Sequence, residues 1–176
     1  MPLLKNGTFV TDEWTEIDDA AAFPETGNVI VSLARLQKDW ESLAKFTGQV
    51  GVSVPNTARV EALVPYLPRL SLVVLTFPAF ADGRAYSIAR QIREAGYRGS
   101  MRAAGNVLPD QLQFMRQVGF DSFLVSDRFP LPVWQKASRQ MSLAYQRGLI
   151  RAAGEAEVWS ERHSEAEAWE EQPHAG

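Results

Sequence analysis

Five polar side chains, Asp82, Arg84, Arg102, Asn106 and Gln111, stand in one stretch of the chain where apolar runs alternate with short polar breaks. Two guanidinium forks beside a carboxylate and two carboxamides suit the binding of a small oxyanion or carboxylate, because arginine presents paired, coplanar N–H donors. Arg84 would begin a helix, where its charge opposes the macrodipole, so either Asp82 or a bound anion has to answer it. Asp82 has a competing structural task, capping the same helix. Arg102 sits among Met101, Ala103 and Ala104, and a charge inside a strand must be paired or reach the wet strand end. A salt bridge to Asp82 or Asp127 and an anion are both open to it. Gly105 and Asn106 follow at once and let the backbone turn and present an amide near Arg102. Leaving neighbouring strand ends, Arg84 and Arg102 are expected to share one anion or one carboxylate.

Other chemistries find little purchase. The chain has no cysteine and two histidines, His163 and His174, both in its acidic last segment. Thiolate ligands, a cysteine nucleophile and a redox pair are thereby excluded, and a metal site is not expected. No glycine-rich nucleotide loop, zinc-protease motif or serine-hydrolase elbow occurs, so no catalytic or cofactor fingerprint names a reaction and the cofactor stays unknown.

The elements that must position the polar set read as alternating strands and helices. Residues 28–32, 49–54, 70–76, 98–104 and 122–125 are β-branched or continuously apolar runs. Between them lie helical spacings at Leu36–Phe46, Thr57–Leu67, Ala85–Ala95 and a segment beginning at Pro109, with a final helix over 132–150. Gly96 and Gly119 stand where the left-handed conformation ends a helix, and Pro109 suits a first helical turn. Arg90, Arg93 and Arg98 are read as a solvated face, with Arg90 paired to Glu94 at i, i+4. Phe77, Phe80, Phe114, Phe120 and Phe123 are assigned to the core.

This alternation predicts an α/β fold of about five parallel strands in a three-layer sandwich, with a partial or irregular β/α barrel as the alternative. In either, ligands bind where loops leave the carboxyl ends of the strands. Residues 1–27 are expected to form an arm or small hairpin, 28–150 a single domain and 151–176 a disordered acidic tail.

Composition agrees with a globular chain: 176 residues, 45% hydrophobic and 22% charged. Seven glutamates against two arginines give the last 26 residues a net charge of −5, which leaves +2 for the rest. So faint a basic balance predicts no nucleic-acid partner. The start lacks the basic flank and long apolar core of a signal peptide, and no apolar run approaches the roughly 20 residues of a spanning helix. A cytoplasmic location without a membrane partner is expected.

The run from Phe77 to Phe123 resembles the bacterial domain of unknown function 934 family. The matching positions begin with Phe77, Pro78, Phe80, Asp82, Gly83, Arg84, Tyr86 and Ser87. They continue through Ile92, Arg93, Gly99, Arg102, Ala103, Gly105 and Val107 to Asp110, Gln111, Gly119, Phe120 and Asp121, and Tyr145-Gln146 resembles the closing element. Ser100 and Asn106 depart from the pattern, standing where the family has glutamate and aspartate. The family is labelled as oxidoreductases involved in sulfite reduction. The resemblance therefore implies an accessory protein of assimilatory sulfate or sulfite reduction that assists a sirohaem sulfite or nitrite reductase. The alternative is a small-anion-binding protein or oxidoreductase acting at an Arg84/Arg102 crevice.

Overall fold

The computed structural model describes residues 1–79 and 82–139. Strands β1 (Leu3–Lys5), β2 (Thr8–Val10), β3 (Trp14–Glu16), β4 (Asn28–Ser32), β5 (Gln49–Val54), β6 (Leu70–Phe77), β7 (Ser100–Gly105) and β8 (Ser122–Leu124) form one sheet. Helices α1 (Leu33–Lys38), α2 (Trp40–Lys45), α3 (Arg84–Glu94), α4 (Leu112–Gln117) and α5 (Leu131–Arg139) pack on it. The spatial order is β2-β1-β8-β7-β6-β5-β4-β3. β3 to β8 are parallel, and β1 pairs antiparallel with both β8 and β2.

The five expected strands are β4 to β8. Residues 1–27 add three more. Asn6 and Gly7, both with positive φ (51° and 75°), make the turn of the β1-β2 hairpin, as a two-residue Asn-Gly loop prefers.

Strand order decides the layering. The six parallel strands follow one another without reversal, and right-handed crossovers that always step the same way put every helix on one face. All five helices accordingly share a single core with Val31, Val52, Val73, Leu75, Phe77 and Met101. A three-layer sandwich needs the stepping direction to reverse; the architecture is instead a mixed, curled half-barrel, close to the alternative reading.

The connection from β2 to β3 shows how strong the curl is. These strands are the two edges of the sheet, separated in a flat sheet by about 33 Å, yet residues 11–13 alone join them. Such a link reaches about 14 Å. The sheet therefore rolls up until its edges approach, and its inner face becomes a second interior. Alternation along the strands sends Ile30, Leu72 and Val74 there, where they cluster with Trp14 and Ala104. Gly51 makes room for the indole, since a Cβ at that position would stand 3.0 Å from the Trp14 ring and 3.2 Å from Leu72 Cβ.

Several elements differ from expectation. The helix expected over Leu36–Phe46 is split into α1 and α2 at Asp39, and Ser32 caps α1 by accepting the Arg35 N–H at 3.0 Å. The helix expected over Thr57–Leu67 is two 3-10 segments, Val60–Ala62 and Val64–Arg69, because Pro65 and Pro68 lack the donors an α-helical ladder needs. Phe114 is 52% exposed rather than core, whereas Phe77, Phe120 and Phe123 are buried. Phe80, the rest of the helix expected over 132–150, the Tyr145-Gln146 element and the acidic segment with its histidines and tryptophans lie outside the described residues. Among the described residues, no helix is long and apolar enough to cross a membrane.

Candidate functional site at the carboxyl edge of the sheet

At the end of β6 the backbone must pass close to β7. Gly105, at φ 89°, permits this: a Cβ there would fall 2.4 Å from the Phe77 carbonyl oxygen. The approach lets the Asn106 N–H donate to that oxygen at 2.8 Å, while Asn106 Nδ2 donates to the Pro78 carbonyl at 2.9 Å. Asn106 thus clasps two strand ends. An aspartate, which the resemblance implies at this position, has no ionised-state donor for the second bond.

Asp82 and Arg84 open α3 as a forked ion pair. Arg84 Nε and Nη2 donate to the two carboxylate oxygens at 2.9 and 2.6 Å, and the Arg84 backbone N–H adds a bond to Oδ1 at 3.2 Å. Asn56 Nδ2, from the loop after β5, donates to Asp82 Oδ2 at 2.6 Å. The Arg84 side-chain hydrogen bonds hold the Asp82 carboxyl down to about 2, against a smaller opposing effect of burial. Asp82 therefore does both of the jobs open to it, pairing with Arg84 and bonding a free donor of the first helical turn.

Arg102 goes elsewhere. It lies in mid-strand on the inner face, with Val74 and Ser122 as its cross-strand neighbours, and its side chain is 3% exposed. Its Nη1 and Nη2 donate to the two oxygens of Asp12 at 2.8 and 2.9 Å. The partner is neither Asp82 nor Asp127, and Arg84 and Arg102 do not share a carboxylate. Residues 11–13, which close the curl, supply the counter-charge. Gln111 ends the 3-10 turn Pro109–Gln111 that precedes α4 and is half-buried.

Two clefts flank Asn56. One, of about 730 Å³, runs between the loop at residues 56–61 and α3 and is lined by Arg59, Arg84, Ser87 and Gln91 among others. The second, of about 500 Å³, opens over the inner-face ends of β4, β5 and β6, where Ser32, Ser53 and Thr76 point. Among the described residues, no group of three or more histidines, cysteines, aspartates or glutamates converges to hold a metal ion.

A model of the bacterial family of proteins of unknown function DUF934 matches residues 51–155. The chain belongs to this DUF934 family. No curated protein and no solved structure matches it.

In this DUF934 chain, two buried arginines outside the expected set brace opposite edges of the sheet, Arg93 where β7 and β8 begin and Arg35 just beyond the carboxyl end of β4. The solvated face expected of Arg90, Arg93 and Arg98 does not extend to Arg93; Arg90 makes the surface pair with Glu94 at 2.8 Å. Arg93 is buried and donates to the carbonyls of Tyr97, Gly99 and Gly119 at 3.1, 2.8 and 2.6 Å, with Asp121 at 3.8 Å. Burial lowers its pKa, an effect that Asp121 opposes. Its place four residues after Ala89, on the buried stripe of α3, was the signal available in the sequence. Ser100, where the resemblance implies a glutamate, donates to Asp121 Oδ1 at 2.6 Å. Arg35 donates to the carbonyls of Asp18 and Ala21 and to Asp39, and stacks over Phe23 at 4.2 Å.

Proposed function

We propose that this DUF934 protein serves assimilatory sulfate or sulfite reduction as an accessory protein of a sirohaem sulfite reductase. The pathway rests on the family resemblance. The accessory role, as opposed to catalysis at an arginine crevice, is supported by one observation: each arginine of that crevice already holds its own carboxylate through a two-pronged contact, Arg84 with Asp82 and Arg102 with Asp12. A fork so occupied offers an incoming oxyanion little unless its carboxylate leaves.

Deletion of the gene tests the assignment. A strain without the protein is expected to grow poorly on sulfate or sulfite and normally on cysteine or sulfide, and the tagged protein is expected to retain the reductase in a pull-down. Normal growth on sulfite with undiminished sulfite-reducing activity removes the pathway.

A second reading has an observation of its own. Arg84 remains 60% exposed and shares its cleft with Arg59, which favours a small anion there, without Arg102. Thermal stabilisation by sulfite that disappears in Arg84→Gln would support it.

A further inference from the structure

The cleft over β4, β5 and β6 has a composition that the arginine-centred readings leave unused. Ser32 ends β4, and Ser53 and Thr76 are the next-to-last residues of β5 and β6; all three side chains alternate to the inner face. The apolar cluster of Ile30, Leu72 and Val74 lies further down the same face, toward the amino ends of the strands, and the cleft itself is lined by the polar ends of the strands and the loops beyond them. Its side walls include Leu33, Pro55 and Pro78. At about 500 Å³ it has the size of a small-molecule site, and the carboxyl ends of parallel strands are where such sites form.

The side chains around it can all accept, the Ser53 and Thr76 hydroxyls being donors as well. Asp19 accepts the Ser32 hydroxyl at 2.7 Å on Oδ1, which leaves Oδ2 available. Asn56 spends Nδ2 on Asp82, so its Oδ1 is the atom left to accept. Ser53 and Thr76 make no side-chain hydrogen bond among the described residues. The cationic groups of the surrounding elements are neutralised: Arg35 is paired with Asp39, and Arg84 with Asp82. The carboxylate is also held in place, because Arg35 pins the Asp18 and Ala21 carbonyls on either side of Asp19 and an Ala21 N–H to Asp18 O bond at 3.0 Å closes that turn.

One carboxylate with a free oxygen, hydroxyls that can turn to accept, and short aliphatic walls suit a primary ammonium on a small aliphatic body better than an oxyanion, which the Asp19 charge repels. From the juxtaposition of Asp19, Ser53, Asn56 and Thr76 between the aliphatic walls of Leu33, Pro55 and Pro78, we infer that this cleft binds a small aliphatic primary ammonium compound. Asp19 and the oxygens of Ser53, Asn56 and Thr76 take its N–H donors, and Leu33, Pro55 and Pro78 cover its carbon chain. This site stands apart from the pathway assignment, and neither depends on the other.

The test is a titration of the isotope-labelled full-length protein with n-butylammonium chloride, followed through backbone amide resonances, beside parallel titrations with glycerol and sodium sulfate. Saturable shifts at Asp19, Leu33, Ala34 and Asn56 are expected with the ammonium salt alone. Asp19→Asn, which keeps an acceptor for Ser32, should weaken binding about tenfold through loss of the charge-assisted bond, with the rest of the spectrum unchanged. Thr76→Val, nearly isosteric in its strand, should weaken it less. Absence of saturable shifts at those amides, equal affinity in Asp19→Asn, or saturation by sulfate or glycerol as readily as by the amine overturns the inference.

Discussion

Arg102 and Asp12 are 90 residues apart in sequence and meet through two N–H···O bonds of 2.8 and 2.9 Å inside the curled sheet. The contact ties the inner face of β7 to residues 11–13, the link that joins the two sheet edges. The two ends of the bond differ in exposure, with Arg102 at 3% and Asp12 at 32% of side-chain surface.

That asymmetry predicts unequal mutational costs. Asp12→Ala strands a guanidinium that cannot reach water, and should cost about 3 kcal/mol in chemical denaturation, the low end for a broken buried pair because the Asp12 side is partly wet. Arg102→Met removes the buried charge and leaves Asp12 free to turn to solvent, so it should cost less than Asp12→Ala. Equal losses from both variants would show that the pair is solvated on both sides and contributes no such asymmetry.

Much of the secondary structure was readable because its causes are local. The β-branched runs of β4 to β6, the stops at Gly96 and Gly119 and the start at Pro109 each follow from residues within a turn of one another. The half-barrel was not readable, because strand order depends on which edge each crossover joins. The hairpin of β1 and β2, by contrast, carries its signal in Asn6-Gly7.

Of the candidate site, the Asp82–Arg84 pair was legible from a spacing of two residues. The roles of Arg102, Arg93 and Arg35 were not. Asp12 stands 90 residues from Arg102, and although Arg93 and Arg35 also bond near neighbours (Tyr97, Gly99 and Asp39), each reaches a carbonyl 26 or 17 residues away at Gly119 or Asp18; a guanidinium in the sequence looks the same whether it awaits a ligand or already holds the backbone together.

The Asp82–Arg84 pair carries a pH signature. The folded carboxyl titrates near 2, below its ordinary value of 3.8, so the pair's contribution to stability is complete above the ordinary value and is lost as pH falls through about 2. Carboxyl carbon resonances should show the Asp82 midpoint near 2 in the wild type and closer to 3.8 in Arg84→Gln, where the dominant hydrogen bonds are gone. An unchanged midpoint in that variant would assign the depression to Asn56 instead.

Asn106, where the resemblance implies an aspartate, offers a check on what the carboxamide does in this chain. Its Nδ2 donates to the Pro78 carbonyl at 2.9 Å, and its backbone N–H holds Phe77 O at 2.8 Å, so the side chain acts as a donor between the ends of β6 and β7. Replacing it with aspartate sets a carboxylate against a carbonyl, two acceptors with no proton between them. The site is exposed, which limits the cost to about 1 kcal/mol at neutral pH. A protonated carboxyl can donate where the amide did, so folding raises the pKa of the new aspartate above its unfolded value. The variant's deficit should therefore be complete above that raised pKa and shrink as pH falls below it. Denaturation of Asn106→Asp and wild type at pH 7 and pH 4 measures the difference directly. A deficit that is the same at both values would mean that the lost bond alone, and not the acceptor pair, sets the cost.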